Sequence, residues 1–279
     1  MKYNLLLCIF LVLLCSELSL RSQDSLHYQW ERFSVRLGGF LTTMDSDISL
    51  TGEQTGLGVS INLEKALGFD TRSTVIRGEA EYNFGSRSRS YVRLSYFGFV
   101  RSANKRLESE LEFGDSIYPI GTELISRYDM SIIRGLYDYD FYSDNRIRLG
   151  LSTGLYILPV NFSVGTGRLI DKSATFIAPL PVVGLRNTFF ITPKILFKQN
   201  IEVLYVKASR LTGTISDLNI WVEYNPFEHF GIGLGYNNFR FRFSASRPED
   251  KILRFDGSLS TGFTGLLFYG KYYFQGPWY

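Results

Sequence analysis

From Phe33 onward the hydrophobic character of the chain repeats every second residue, not every third or fourth. Successive side chains of a strand point to opposite faces, so period two marks sheet with one apolar face. Across Ile147–Leu158, one parity holds Ile147, Leu149, Leu151, Leu155 and Ile157. The other holds Arg148, Gly150, Ser152, Gly154, Tyr156 and Leu158, mostly small or polar. Thr74–Phe84 sets Ile76, Ala80, Tyr82 and Phe84 against Arg77, Glu79, Glu81 and Asn83. Leu218–Tyr224 and Leu266–Phe274 repeat the pattern. Beyond residue 30 no apolar stretch approaches the roughly 20 residues of a membrane-spanning helix. If the mature chain enters a membrane, it must do so as β-structure.

Read this way, the sequence predicts about ten strands, over 32–50, 72–84, 90–113, 121–142, 147–164, 175–192, 195–210, 214–226, 230–246 and 252–274. Several exceed the roughly 9–11 residues that cross a bilayer, so their excess should project beyond one surface. The connections alternate. Gly85–Ser88, Ser143–Arg146, Thr192–Lys194 and Asn225–Phe230 are short, whereas 51–71, 114–120, 165–174 and 247–251 are longer or more polar; 210–213 is the weak point of the alternation. An outer-membrane barrel has short periplasmic turns, longer external loops and an even strand count. Pro159, Pro179 and Pro181 interrupt two long strands and are expected near the outer rim, where a ladder tolerates lost donors. Glu64–Leu67 is expected to form a helical turn in the first external loop.

Composition narrows the classes. Aromatics make up 16%, which excludes a disordered chain, and a net charge of +3 excludes a strongly basic nucleic-acid binder. Lys2 followed by the apolar run Leu5–Cys15 reads as a secretory signal peptide over residues 1–22, leaving a single barrel domain over 23–279. Both cysteines, Cys8 and Cys15, fall in that segment, so no disulfide or thiolate chemistry is expected after cleavage. Leu14 before Cys15 argues against a lipoprotein signal.

Period two does not say which face is enclosed. Three features place lipid on the apolar side. Aromatics gather beside the short turns (Phe33, Tyr82, Phe84, Tyr139, Phe141, Phe189, Tyr224, Phe274), as in an interfacial girdle. Glycines on the polar parity (Gly38, Gly150, Gly154, Gly184, Gly233, Gly235) suit a crowded interior. The last strand ends apolar and aromatic near the C-terminus, where barrel-assembly machinery would engage it.

The stretches Gly58–Phe69, Glu79–Phe84, Ala178–Leu185 and Tyr224–Tyr236 resemble those of small Gram-negative outer-membrane β-barrel proteins, and more closely a largely uncharacterised family of such barrels. The resemblance implies an all-β, single up-and-down transmembrane barrel in the outer membrane. It implies no activity, and no functional residue carries over.

With the polar parity inward, the lumen would hold Arg36, Arg77, Arg93, Arg134, Arg148, Arg186, Lys198 and Lys271. Facing them would be Glu79, Glu81, Asp138, Asp140, Glu202, Asp217 and Glu223. Charges in a narrow lumen must pair, so this set is expected to stabilise the barrel and obstruct flow. The leading expectation is a non-enzymatic barrel: a narrow pore, a surface-binding protein or an anchor. A membrane-embedded enzyme (a lipid A hydrolase or omptin-like protease) is the alternative, but His27 and His229 both fall on the periplasmic side. A soluble secreted β-barrel binding an apolar ligand is the third. Neither cofactor nor metal site is expected. The expected partners are outer-membrane lipid and lipopolysaccharide, with the assembly machinery during biogenesis, and no nucleic acid. Around Asn237-Asn238 the apolar parity changes, which reads as a bulge or an exit from the membrane, and Arg240 and Arg242 alternating with Phe239, Phe241 and Phe243 suggest contact with lipopolysaccharide phosphates.

Overall fold

The computed structural model describes residues 32–51, 58–84, 89–113, 116–166, 169–208, 211–245 and 257–274. The expected signal segment and His27 lie outside them. Ten strands close into one antiparallel up-and-down barrel: β1 (Phe33–Thr51), β3 (Arg72–Phe84), β4 (Ser90–Arg106), β7 (Glu123–Ser143), β8 (Ile147–Thr166), β9 (Leu169–Thr192), β10 (Ile195–Ala208), β11 (Leu211–Tyr224), β12 (Phe230–Ala245) and β13 (Gly257–Tyr273). Closure is made by β1 against β13, in unbroken register from Ser34–Tyr273 to Leu50–Gly257. No barrel edge is left open in this pairing order, the condition for crossing hydrocarbon as sheet.

The external end carries three additions. β2 (Gly58–Asn62) folds back on β1, α1 (Leu63–Leu67) follows it, and β5 (Leu111–Phe113) pairs with β6 (Ser116–Tyr118). Asn62 caps α1 by accepting from the Lys65 N–H at 3.0 Å, and Gly68 ends it with φ of 75°. The predicted strand over 90–113 therefore splits, its last residues going to the external hairpin. The strand expected from 175 begins earlier, at Leu169.

The prolines sit in a seam. β8 and β9 remain paired past all three, with Pro159 opposite Ile177, Pro179 opposite Ile157 and Pro181 opposite Leu155. The ladder between β9 and β10, however, ends at Val183–Val203 although both strands run on. Pro179 and Pro181 lack the N–H that a neighbour would need, so β9 gives up its β10 partner where they occur. They mark a one-sided opening of the ladder rather than the ends of strands.

The outer wall is apolar. Ile76 is 73% exposed while its neighbour Arg77 is 3% exposed, and Leu37 is 61% against 6% for Arg36. Leu94, Tyr96, Ile133, Leu151, Val183, Leu185, Leu234, Leu266 and Phe268 continue this exposed belt around the barrel. At the short-turn end the belt finishes in aromatics whose rings touch: Tyr82–Phe84 at 6.1 Å, Phe84–Tyr137 at 6.2 Å, Tyr272–Phe274 at 4.9 Å and Phe33–Phe274 at 5.2 Å. A soluble protein seldom shows so large a contiguous apolar surface, and a barrel in lipid requires it.

Candidate functional site: a filled interior in two layers

Inward side chains follow one parity on each strand, and their chemistry changes with height. Along β1 the inward positions run Ser34, Arg36, Gly38, Phe40, Thr42, Met44, Ser46 and Ile48; along β4 they run Tyr91, Arg93, Ser95, Phe97 and Phe99. The half nearest the short turns is ionic, and the half nearest the external loops is apolar and aromatic.

The ionic half holds fourteen of the fifteen predicted lumen charges as buried groups. Arg93 on β4 grips Asp138 on β7 with two bonds, Nε to Oδ2 at 2.5 Å and Nη2 to Oδ1 at 2.9 Å. Its Nη2 also donates to Glu202 on β10 at 2.9 Å, so one guanidinium ties three strands across the lumen. Ser152 donates to Asp138 at 2.5 Å, and Arg186 links Glu81 at 3.3 Å to Asp138 at 3.6 Å while lying 3.9 Å over the Tyr91 ring. Higher up, Arg134 donates to Asp217 at 3.0 Å and to Ser95 at 2.5 Å and faces Glu79 at 3.5 Å. Asp217 also accepts from Tyr156 at 2.8 Å, Asn219 at 2.9 Å and Asn237 at 2.6 Å. Arg77 donates to Asn219 at 3.1 Å, and Arg36 lies 3.4 Å from Glu79 beneath Trp221 and Tyr269. Near the turn end, Glu223 accepts from Tyr273 at 2.6 Å and Tyr269 at 3.1 Å and faces Lys198 and Lys271 at 3.6 and 3.5 Å. Asp140 lies in the field of Arg186 and Arg148. Arg148 alone is half-buried, donating to Tyr91 at 3.1 Å.

The parity change at Asn237-Asn238 has a different cause from a bulge or membrane exit. β12 keeps unbroken register with both β11 and β13 through this region. Asn237 points inward to Asp217, and the next inward residues are Phe239, Phe241 and Phe243. The strand has crossed from the ionic layer into the apolar one. There Phe40, Phe97, Phe99, Phe239 and Phe263 form a cluster from four strands. Phe263 lies 5.8 Å from Phe40, 5.7 Å from Phe97, 5.2 Å from Phe99 and 4.7 Å from Phe239. Met44, Met130, Ile132, Leu158, Val160 and Phe162 complete the fill.

Small residues make the fit possible. A Cβ at Gly235 would stand 2.6 Å from Trp221 Cδ1, and one at Gly233 would strike the Tyr269 ring. These two rings form the boundary beneath which Arg36 is stacked.

Above the apolar layer sits a lid whose ionic pin the sequence reading missed. Leu63, Leu67 and Phe69 are buried against the aromatic fill. Arg101 on β4 holds the segment, donating to Glu64 at 2.7 Å and to the Asp70 carbonyl at 2.7 Å, with its guanidinium 5.2 Å over Phe69. Glu64 in turn accepts from the Ser46 N–H at 2.9 Å. Arg101 shares the inward parity of Arg93; that was the available signal.

No protein-family model matches the chain, and no curated protein matches it significantly. Solved structures do. The outer membrane protease OmpT from Escherichia coli superposes with a TM-score of 0.54 at 8% identity, over 91% of this chain and 99% of that one. The translocator domain of the autotransporter NalP from Neisseria meningitidis gives 0.42 at 11% identity, over 98% and 96%. The fold is that of Gram-negative outer-membrane β-barrels, and the exposed belt fits residence in that membrane. At these identities the likeness extends to the fold alone.

Proposed function

We propose that the protein is a non-conducting, non-enzymatic outer-membrane barrel that works as a binding or anchoring surface at its external end. The observation that carries this reading is the doubled obstruction: the Arg93–Asp138–Glu202 bridge spans the ionic half, and the Phe97–Phe263–Phe239 cluster fills the apolar half. Ions would have to displace paired charges and then enter an apolar layer, and each step is unfavourable by several kcal/mol. The lid pinned by Arg101 and Glu64 adds a third barrier.

The one histidine among the described residues supports the non-enzymatic part. His229 lies in the β11–β12 turn against Tyr272, at the end opposite the external loops. Outward alternation of Leu266, Phe268 and Tyr272 along β13, with Phe274 just beyond its end, favours handling of the C-terminal strand by the barrel-assembly machinery. Purified full-length protein in planar bilayers is expected to remain electrically silent. Reproducible unitary steps that vanish without protein would overturn the reading.

A further inference from the structure

The barrel wall is not level at its external end. β8 and β9 stay paired up to Thr166–Leu169, but β10 ends at Ala208 and its ladder to β9 stops at Val183–Val203. From Leu169 to Val182, β9 therefore has β8 on one side and, among the described residues, no paired strand on the other. Roughly 9–11 residues of strand cross the hydrocarbon. Counted up from the turn after Thr192, that span ends near Val183, so the bare edge begins where lipid gives way to water. A free sheet edge is excluded from hydrocarbon, but in water it stands as a template for another strand. The β3–β4 ladder is also interrupted, ending at Gly78–Tyr96, and there the lid covers the strand that runs on. Arg101 and Lys105 of β4 donate to the Asp70 and Lys65 carbonyls. No such cover meets β9 among the described residues.

The prolines show which residues serve that edge. In an antiparallel ladder a residue turns its N–H and C=O to one neighbouring strand, and the next residue turns its own to the other. β9 keeps its pairing with β8 at Pro179 and Pro181, which have no N–H to give, so their parity faces away from β8. Ser173, Thr175 and Ile177 share that parity, and each has both an N–H and a C=O to offer. Register with β8 is unbroken from Val164–Lys172 to Ile157–Pro179, so no bulge changes the parity between them. The side chains of Ser173 and Thr175 are exposed, as is Ile177 above the lipid belt. Tyr205 and Val206 on β10, across the gap, are exposed too, although Val206 has the inward parity of Glu202. Behind the gap Leu180 seals the interior: it reaches Gly213 on β11, where a Cβ would stand 3.1 Å from Leu180 Cδ2. The apolar fill stays covered while the edge outside it is bare.

We propose that the β9 edge at Ser173, Thr175 and Ile177 captures an extended segment of another polypeptide, which adds to the wall as an antiparallel strand outside the membrane. The backbone groups of these residues recur at strand spacing, which the backbone of a second strand matches and a lipid or a saccharide does not. Main-chain bonds supply the affinity, and the exposed hydroxyls and Ile177 favour uncharged, β-branched side chains opposite them. A second copy of this chain in the same membrane does not fit. Its β9 descends in the same direction, and a two-fold axis along the membrane normal would set like backbone groups against each other. The inference rests on the reading of the external end as a binding surface and names the class of partner.

The test is amide exchange and peptide binding on the full-length protein in detergent micelles. Without a partner, exchange should alternate along β9: fast at Ser173, Thr175 and Ile177, slow at Ala174, Phe176 and Ala178, which bond to β8. The probe is a short alternating Thr-Val peptide with a lysine at each end for solubility. It should slow exchange at the first set, and the same peptide N-methylated throughout should bind about tenfold more weakly or worse, from the loss of its main-chain donors. Thr175→Pro removes an edge N–H at a parity where the β8–β9 ladder already carries proline. That variant should remain folded by heat-modifiable gel mobility and bind the peptide about tenfold more weakly, whereas Thr175→Val keeps the N–H and should bind as the unaltered protein does. Slow exchange at Ser173, Thr175 and Ile177 in the protein alone, equal binding of the methylated peptide, or undiminished binding by Thr175→Pro would overturn the proposal. A silent barrel with a protected edge would overturn this inference alone, and a conducting barrel that still bound the peptide here would overturn the non-conducting reading alone.

Discussion

Replacing Arg93 by alanine is the sharpest perturbation of the interior. Its guanidinium makes both bonds of a bidentate pair with Asp138 and a further bond to Glu202, and all three side chains are at most 5% exposed. Removing one partner of a buried ion pair costs about 3–5 kcal/mol, because the remaining charges stay buried without an answer. An exposed, screened pair would cost about 0–1 kcal/mol. The two magnitudes separate a dry, packed lumen from a water-filled channel. Equilibrium unfolding in urea, with the protein in lipid vesicles, can be followed by the fluorescence of Trp221, which is buried beside the ionic layer. The expected loss for Arg93→Ala is about 3–5 kcal/mol. Arg93→Met combined with Glu202→Gln removes one charge of each sign and leaves Asp138 its Arg186 and Ser152 partners, so it should recover most of it. A loss below about 1 kcal/mol for the single variant would refute the packed-interior reasoning.

Three further outcomes follow from the geometry. Gly235→Val should displace Trp221 and cost about 1–3 kcal/mol by overpacking, read as a lower unfolding midpoint. Arg101→Ala should free the lid, so that amide exchange across Leu63–Leu67 accelerates while planar bilayers stay silent, because the aromatic layer beneath is intact. Asp144, in the β7–β8 turn, is held below the usual carboxylate range: partial burial opposes this, but the Arg146 and Ile147 N–H groups and the Tyr142 hydroxyl bond its charged form. A depressed folded-state value means the contribution is present above the unfolded value of about 4 and lost as pH falls through the lower folded one. Below that pH the turn should loosen in the native protein but show no acid transition in Asp144→Asn, measured by amide exchange at Ile147.

Strand placement was legible because period two is set by backbone geometry alone. The alternation of short and long connections was legible only in part: two residues separate β8 (ending at Thr166) from β9 (beginning at Leu169) and two separate β10 (ending at Ala208) from β11 (beginning at Leu211), because the strands run on through connections expected to be longer. The division of the interior was not. Alternation reports which side chains share a face, while the chemistry at a given height depends on register among ten strands. Phe239, Phe241 and Phe243 stand on the parity of Asn237, yet without the ladder to β13 their meeting with Phe263 is invisible in sequence. The seam at Pro179 and Pro181 was flagged by the residues, but the side that opens depends on where β10 stops following β9. Arg101 was missed because its partner Glu64 comes from a loop helix, outside any strand parity.

The most direct test of the whole arrangement is carbene photolabelling of the unmodified protein from a lipid-soluble precursor, mapped by peptide mass spectrometry. Insertion is expected at Leu94, Tyr96, Ile133, Leu185 and Phe268, with Arg93, Phe97, Arg134 and Phe263 spared. Labelling of the second group with sparing of the first would contradict the account.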